Sequence, residues 1–115
     1  MHAGEIIYPI LAPLFDDKVY PLLVPESVIN TSPYAVYTPI SAVASQSLDG
    51  HMGDEWVRVQ IDVYHHDYDE LLDLSSKVTH ALNTQLGLKI FSNYRQSIDD
   101  RLFRVSLDVE FWQKI

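Results

Sequence analysis

Residues 56–70 read Trp56-Val57-Arg58-Val59-Gln60-Ile61-Asp62-Val63-Tyr64-His65-His66-Asp67-Tyr68-Asp69-Glu70, and within three residues a strand pattern gives way to a helix start. Val57, Val59, Ile61 and Val63 fall on one side of an extended chain, and Arg58, Gln60 and Asp62 on the other, so one face meets a core. Asp67 then stands three residues before Glu70, the spacing of a capping box that satisfies the first free amides of a helix. Leu71, Leu72, Ser75, Val78, Leu82 and Leu86 recur at helical intervals, while Asp69, Asp73, Lys77 and His80 fall largely elsewhere. Gly87 supplies a left-handed C-cap.

Working outward, residues 103–111 repeat the strand pattern. Phe103, Val105, Leu107, Val109 and Phe111 share one face and Arg104, Ser106, Asp108 and Glu110 the other, so a one-residue slip would bury four polar groups and the register is strongly specified. Ile90–Gln96 reads as a weaker strand, joined to the last one through a polar turn at Ser97–Asp100. Upstream, Tyr34–Ile40 alternates Tyr34, Val36, Thr38 and Ile40 against Ala35, Tyr37 and Pro39, with Pro39 marking an edge or a strand end. Ser41–Asp54, rich in Ser, Ala, Gly and Asp, reads as a connection of about 14 residues, longer than an ordinary hairpin loop. Val19–Pro33 carries Pro21, Pro25 and Pro33 and reads as extended connection. Residues 3–15 place Ile6, Ile7, Ile10, Leu11 and Leu14 at helical spacing, with Pro9 kinking the helix, keeping it very short, or starting it. The element order helix, strand, strand, helix, strand, strand gives an α+β domain: an antiparallel or mixed four-stranded sheet with helices packed on one face.

The chain has 115 residues, room for one core and so one expected domain spanning 1–115, and its 47% hydrophobic and 21% charged residues are those of a folded protein. Sixteen acidic against eight basic residues give a formal net charge of −8, which disfavours phosphate backbones and anionic lipid as principal partners. Arg95, Arg101 and Arg104 are interleaved with polar and acidic residues and form no basic run. Cysteine is absent, removing thiol chemistry and disulfides and suiting a reducing compartment. The apolar run near the N-terminus lacks a basic leader, and no stretch reaches the ~20 apolar residues of a membrane-spanning helix.

Several chemical readings fail on spacing. His65-His66-Asp67 offers metal donors, but adjacent residues at a strand end point apart, and His51 and His80 are isolated from them. No Gly-x-Ser-x-Gly turn is present. Gly50-His51-Met52-Gly53 lacks the Lys-Ser or Lys-Thr ending of a phosphate loop and precedes a strand. Asp49, Asp54 and Glu55 read as turn-forming or solvating carboxylates. No cofactor, metal or catalytic residue is expected, and the chain does not read as an enzyme. A competing reading gathers Tyr34, Tyr37, Trp56 and Tyr64 with the nearby histidines into a small-molecule pocket, although aromatics build cores more often than pockets.

Pro33-Tyr34-Ala35-Val36-Tyr37, then Ser47-Leu48-Asp49-Gly50, then Arg58-Val59-Gln60-Ile61-Asp62-Val63-Tyr64 and at once a capped helix, resembles the bacteriophage tail-completion or tail-terminator family across residues 19–86. The chain departs from that pattern at Pro9 and Pro13 and shows no family motif beyond Gly87. The resemblance implies a structural protein that caps the finished tail tube and joins it to the head as a ring, commonly of six copies, without catalysis. Its implied partners are further copies of itself, the tail-tube protein and head–tail connector proteins, with no sequence-specific nucleic acid and no membrane. The implied location is the host cytoplasm during assembly and then the tail or neck of the particle. A neck or head-completion connector is the alternative. The residues expected at a partner or subunit interface are Leu48, Asp49, Gly50 and Asp54 in the long connection, and Arg58, Asp62, Arg104 and Glu110 on the polar face of the strands.

Overall fold

The computed structural model describes residues 3–23, 33–44, 54–86, 89–99 and 102–114. Two helices, α1 (Ala3–Leu11) and α2 (Tyr68–Gln85), accompany five strands: β1 (Val19–Pro21), β2 (Tyr34–Ala44), β3 (Asp54–His65), β4 (Lys89–Asp99) and β5 (Leu102–Lys114). The fold is α+β, and the sheet is mixed, with strand order β1-β2-β3-β5-β4.

The sheet has five strands where four were expected. The fifth, β1, lies in the segment read as extended connection and runs parallel to β2, with Val19, Tyr20 and Pro21 opposite Ala35, Val36 and Tyr37. Three residues ending in proline carry no periodicity. Tertiary hydrogen bonds hold them, from Ala35 N to Lys18 O at 3.0 Å and from Leu22 N to Tyr37 O at 3.0 Å.

The remaining pairs are antiparallel. β3 and β5 form the long central pair, running from Asp54↔Lys114 to His65↔Phe103 without a slip, as the two alternating patterns require. β2 continues past Pro39 to Ala44, with a register shift between Pro39 and Ser41. The expected 14-residue connection therefore begins and ends in paired strand. Likewise β4 extends through Asp99, so Ser97 and Asp99 belong to the strand and not to a turn.

Pro9 lies inside α1, which starts at Ala3 and tightens at Leu11 into a 3-10 turn over Ala12–Leu14. Pro9, the seventh residue of this helix, removes the amide that would bond Glu5 O, and the helix ends two residues later. The long helix begins as expected at the Asp67 cap, where Glu70 N donates to Asp67 Oδ1 at 3.0 Å. The return half of the capping box differs. Asp67 N donates to His65 Nδ1 at 2.9 Å, and His65 Nε2 lies 3.0 Å from Glu70 Oε2, so the imidazole stands between the amide and the carboxylate that a capping box would join directly. At the other end Leu86 closes the helix in an extended conformation, and the Gly87 cap lies outside the described residues.

Both helices cover one face of the sheet. Ile7 and Leu11 from α1 and Leu71, Val78 and Leu82 from α2 form one cluster with Val57, Val59, Ile61, Val63, Val105, Leu107, Val109 and Phe111. Ser75 lies within this apolar stripe and satisfies its hydroxyl on Leu71 O at 2.8 Å.

Candidate functional site

The face of the sheet away from the helices carries the even-numbered side chains of β3 and β5. Cross-strand register places Trp56 opposite Trp112, Arg58 opposite Glu110, Gln60 opposite Asp108, Asp62 opposite Ser106 and Tyr64 opposite Arg104. Arg58, Asp62, Arg104 and Glu110 therefore do share one surface, because strands of period two in a fixed antiparallel register cannot place them otherwise.

Their partners lie within the chain. Arg58 Nη2 donates to Asp108 Oδ2 at 2.8 Å, and Trp56 Nε1 donates to Glu110 Oε1 at 3.1 Å. Gln60 Nε2 reaches both oxygens of Asp62, at 3.1 and 3.2 Å, and Ser106 Oγ donates to Asp62 Oδ1. Arg104 Nε donates to Ser97 Oγ at 3.1 Å, tying β5 to β4. The result is a polar ladder laid diagonally across three strands.

Alternation alone assigns this face to water, yet Asp62 and Asp108 are only 6% and 5% exposed and Ser106 is 4% exposed. Arg58 reaches from β3 to Asp108 on β5, and Gln60 reaches along its own strand to Asp62. Burying a carboxylate is costly unless its oxygens are hydrogen-bonded; the ladder supplies bonds to both oxygens of Asp62 and to Oδ2 of Asp108, while among the described residues no hydrogen bond reaches buried Asp108 Oδ1 or Arg58 Nε. At one end the face turns apolar: Tyr34, Val36 and Leu102 are buried with Tyr20 and Tyr64 against them, and the Tyr34 and Tyr64 rings stack at 4.9 Å.

The aromatic pocket considered from sequence does not assemble. Tyr34 and Tyr64 stack on the polar face, Trp56 bonds Glu110 toward the far end of β3, and Tyr37 packs into the core beneath the helices. His65 is engaged at the helix cap. Among the described residues no group of three or more His, Asp or Glu side chains gathers as metal donors, and no helix is long and apolar enough to cross a membrane. Of the other expected interface residues, Asp54 opens β3 opposite Lys114, while Leu48, Asp49 and Gly50 lie outside the described residues. Sequence reading missed Gln60, Ser106 and Asp108 as members of the ladder. Their signal was present in the pairing of two even-numbered polar stripes, but it becomes legible only once the register of β3 on β5 is known.

No protein-family model and no curated protein matches the chain. Its fold is similar to that of a chain in the solved virion of a native gene transfer agent (GTA) particle, with a TM-score of 0.69 and 15% sequence identity over 94% of this chain and 91% of that one. At that identity the likeness is one of fold, over nearly the full length of both chains.

Proposed function

We propose that this protein is a structural component of a phage-like particle, one that caps the completed tail tube and joins it to the head as a ring, commonly of six copies, without catalysis. The observation that carries this reading is the likeness, over nearly the full length of both chains, to a component of a gene transfer agent virion. The order of strand, Asp-Gly connection, RVQIDVY strand and capped helix supports the same reading from sequence. The polar ladder suits such a role. A sheet face whose side chains are largely bonded to one another is held in a fixed arrangement and presents that surface to a neighbouring protein at little reorganisation cost.

In this reading Arg58, Asp62, Arg104 and Glu110 form part of the surface that meets a subunit or the tube, and Leu48, Asp49, Gly50 and Asp54 contribute to the same contact. Light scattering across a concentration series, with and without magnesium, tests the ring. Six copies of a 13.2 kDa chain have six times that mass, about 79 kDa, and the mass should plateau there. Continued growth with concentration would point to an open filament and contradict a closed ring.

A further inference from the structure

Residues 65–67 carry the chain from the end of β3 to the start of α2, and both ring nitrogens of His65 are engaged there. Nδ1 accepts the backbone N–H of Asp67 at 2.9 Å, and Nε2 lies 3.0 Å from Glu70 Oε2. Turning the ring over would put Cδ2 and Cε1 in these places and lose both contacts, so its partners fix its orientation. A backbone amide can only donate. Nδ1 must therefore present its lone pair, which leaves the single proton of a neutral imidazole on Nε2, where it donates to the Glu70 carboxylate. The side chain is 14% exposed and lines a recess of ≈ 330 Å³ together with Pro33, Glu70, Asp73, Leu74 and Lys77.

We infer that His65 is a proton-sensitive latch on the turn from strand to helix: the neutral ring holds the Asp67 amide, and a second proton on the ring releases it. The one position left for that proton is Nδ1, the atom that the amide occupies. Proton and amide exclude each other, because a protonated Nδ1 is a donor facing a donor. The contact at Nε2 responds in the opposite sense. Charging the ring turns it into an ion pair with Glu70, which keeps the imidazole in place while the turn moves off Nδ1. The other groups that face the ring among the described residues leave this choice intact. Asp67 commits Oδ1 to Glu70 N at 3.0 Å, Asp73 and Lys77 bring opposite charges to the recess, and β5 places apolar Phe103 opposite His65. The release is selective. The Asp67 carboxylate still caps Glu70 N, so α2 keeps its start and the turn that leads into it loosens. This holds whether or not copies of the chain form a ring.

Nuclear magnetic resonance of the full chain labelled with nitrogen-15 tests the latch. At the neutral end of a titration across about pH 5–8, long-range proton–nitrogen correlations should show the His65 proton on Nε2. On acidification the Asp67 amide signal should move with the same midpoint as the His65 ring. Its exchange with water, relative to the intrinsic rate, should rise about five-fold, the effect of losing one net hydrogen bond. His65→Asn keeps an acceptor oxygen at the position of Nδ1 and cannot titrate, so in that variant the step at Asp67 should vanish. A neutral ring with its proton on Nδ1, an Asp67 amide that stays constant while the ring titrates, or a ring that stays neutral until the chain unfolds overturns the latch, and all three are read on the unmodified protein.

Discussion

Ile61 and Gln60 are neighbours in sequence and occupy opposite faces of β3, the first fully buried and the second half-exposed. Truncating Ile61 to alanine should cost about 2–5 kcal/mol, since it leaves a cavity beneath both helices. Gln60→Ala should cost about 1 kcal/mol, because Asp62 keeps its bond from Ser106. Urea denaturation midpoints check the pair, and equal losses would mean the two faces are packed alike. At the helix start, Asp67→Ala removes the side-chain acceptor for Glu70 N and should cost ~1 kcal/mol, whereas Asp67→Asn should recover most of it. The cap was legible in the sequence because an N-cap depends on two residues three apart. The part played by His65 was not, since it depends on how the strand end delivers the ring over the first helical turn.

Among the elements, α2, β3 and β5 were legible because each keeps one period throughout. β4 was faint for a physical reason: its register on β5 shifts between Ser92 and Arg95, and a bulge inverts the alternation on which recognition of a strand depends. β1 was missed because three residues ending in proline hold no period, and β2 was cut short at Pro39, a residue that an edge-side position accommodates. The pairing of Ala44 with Glu55 brings the strand ends together across residues 45–53. Replacing residues 45–54 with Asn-Gly should leave the thermal midpoint within a few degrees, as a two-residue turn closes the antiparallel pair of Ala44 and Glu55 and shorter loops close at lower entropy cost. Calorimetry checks this, and loss of the cooperative transition would show that the segment holds the hairpin together. The same variant tests Leu48, Asp49, Gly50 and Asp54: with the fold intact, failure of heads and tails to join assigns the contact to the replaced segment.

On the scale of the molecule, the chain measures 52 × 25 × 22 Å, longer than α2 alone because β3 and β5 outrun the helices. The core pairs join residues about 40–60 positions apart, so closure of these long loops should slow folding to the millisecond-to-second range, which stopped-flow fluorescence of Trp56 and Trp112 reads directly. The layer arrangement was legible from one-sided strands and an amphipathic helix. The candidate interface was only partly so: sequence placed four charged residues on one face, but not the internal bonds that occupy them. Those bonds arise from strand order and register, which no local pattern encodes.

The most direct measurement of the proposed role is electron microscopy of particles from cells in which this gene has been deleted, with the intact gene restored in parallel. A tube-capping, head-joining ring predicts filled heads separated from tails, tails of uneven and excessive length, and joined particles on restoration. Joined particles with tails of normal length from the deleted strain would contradict it.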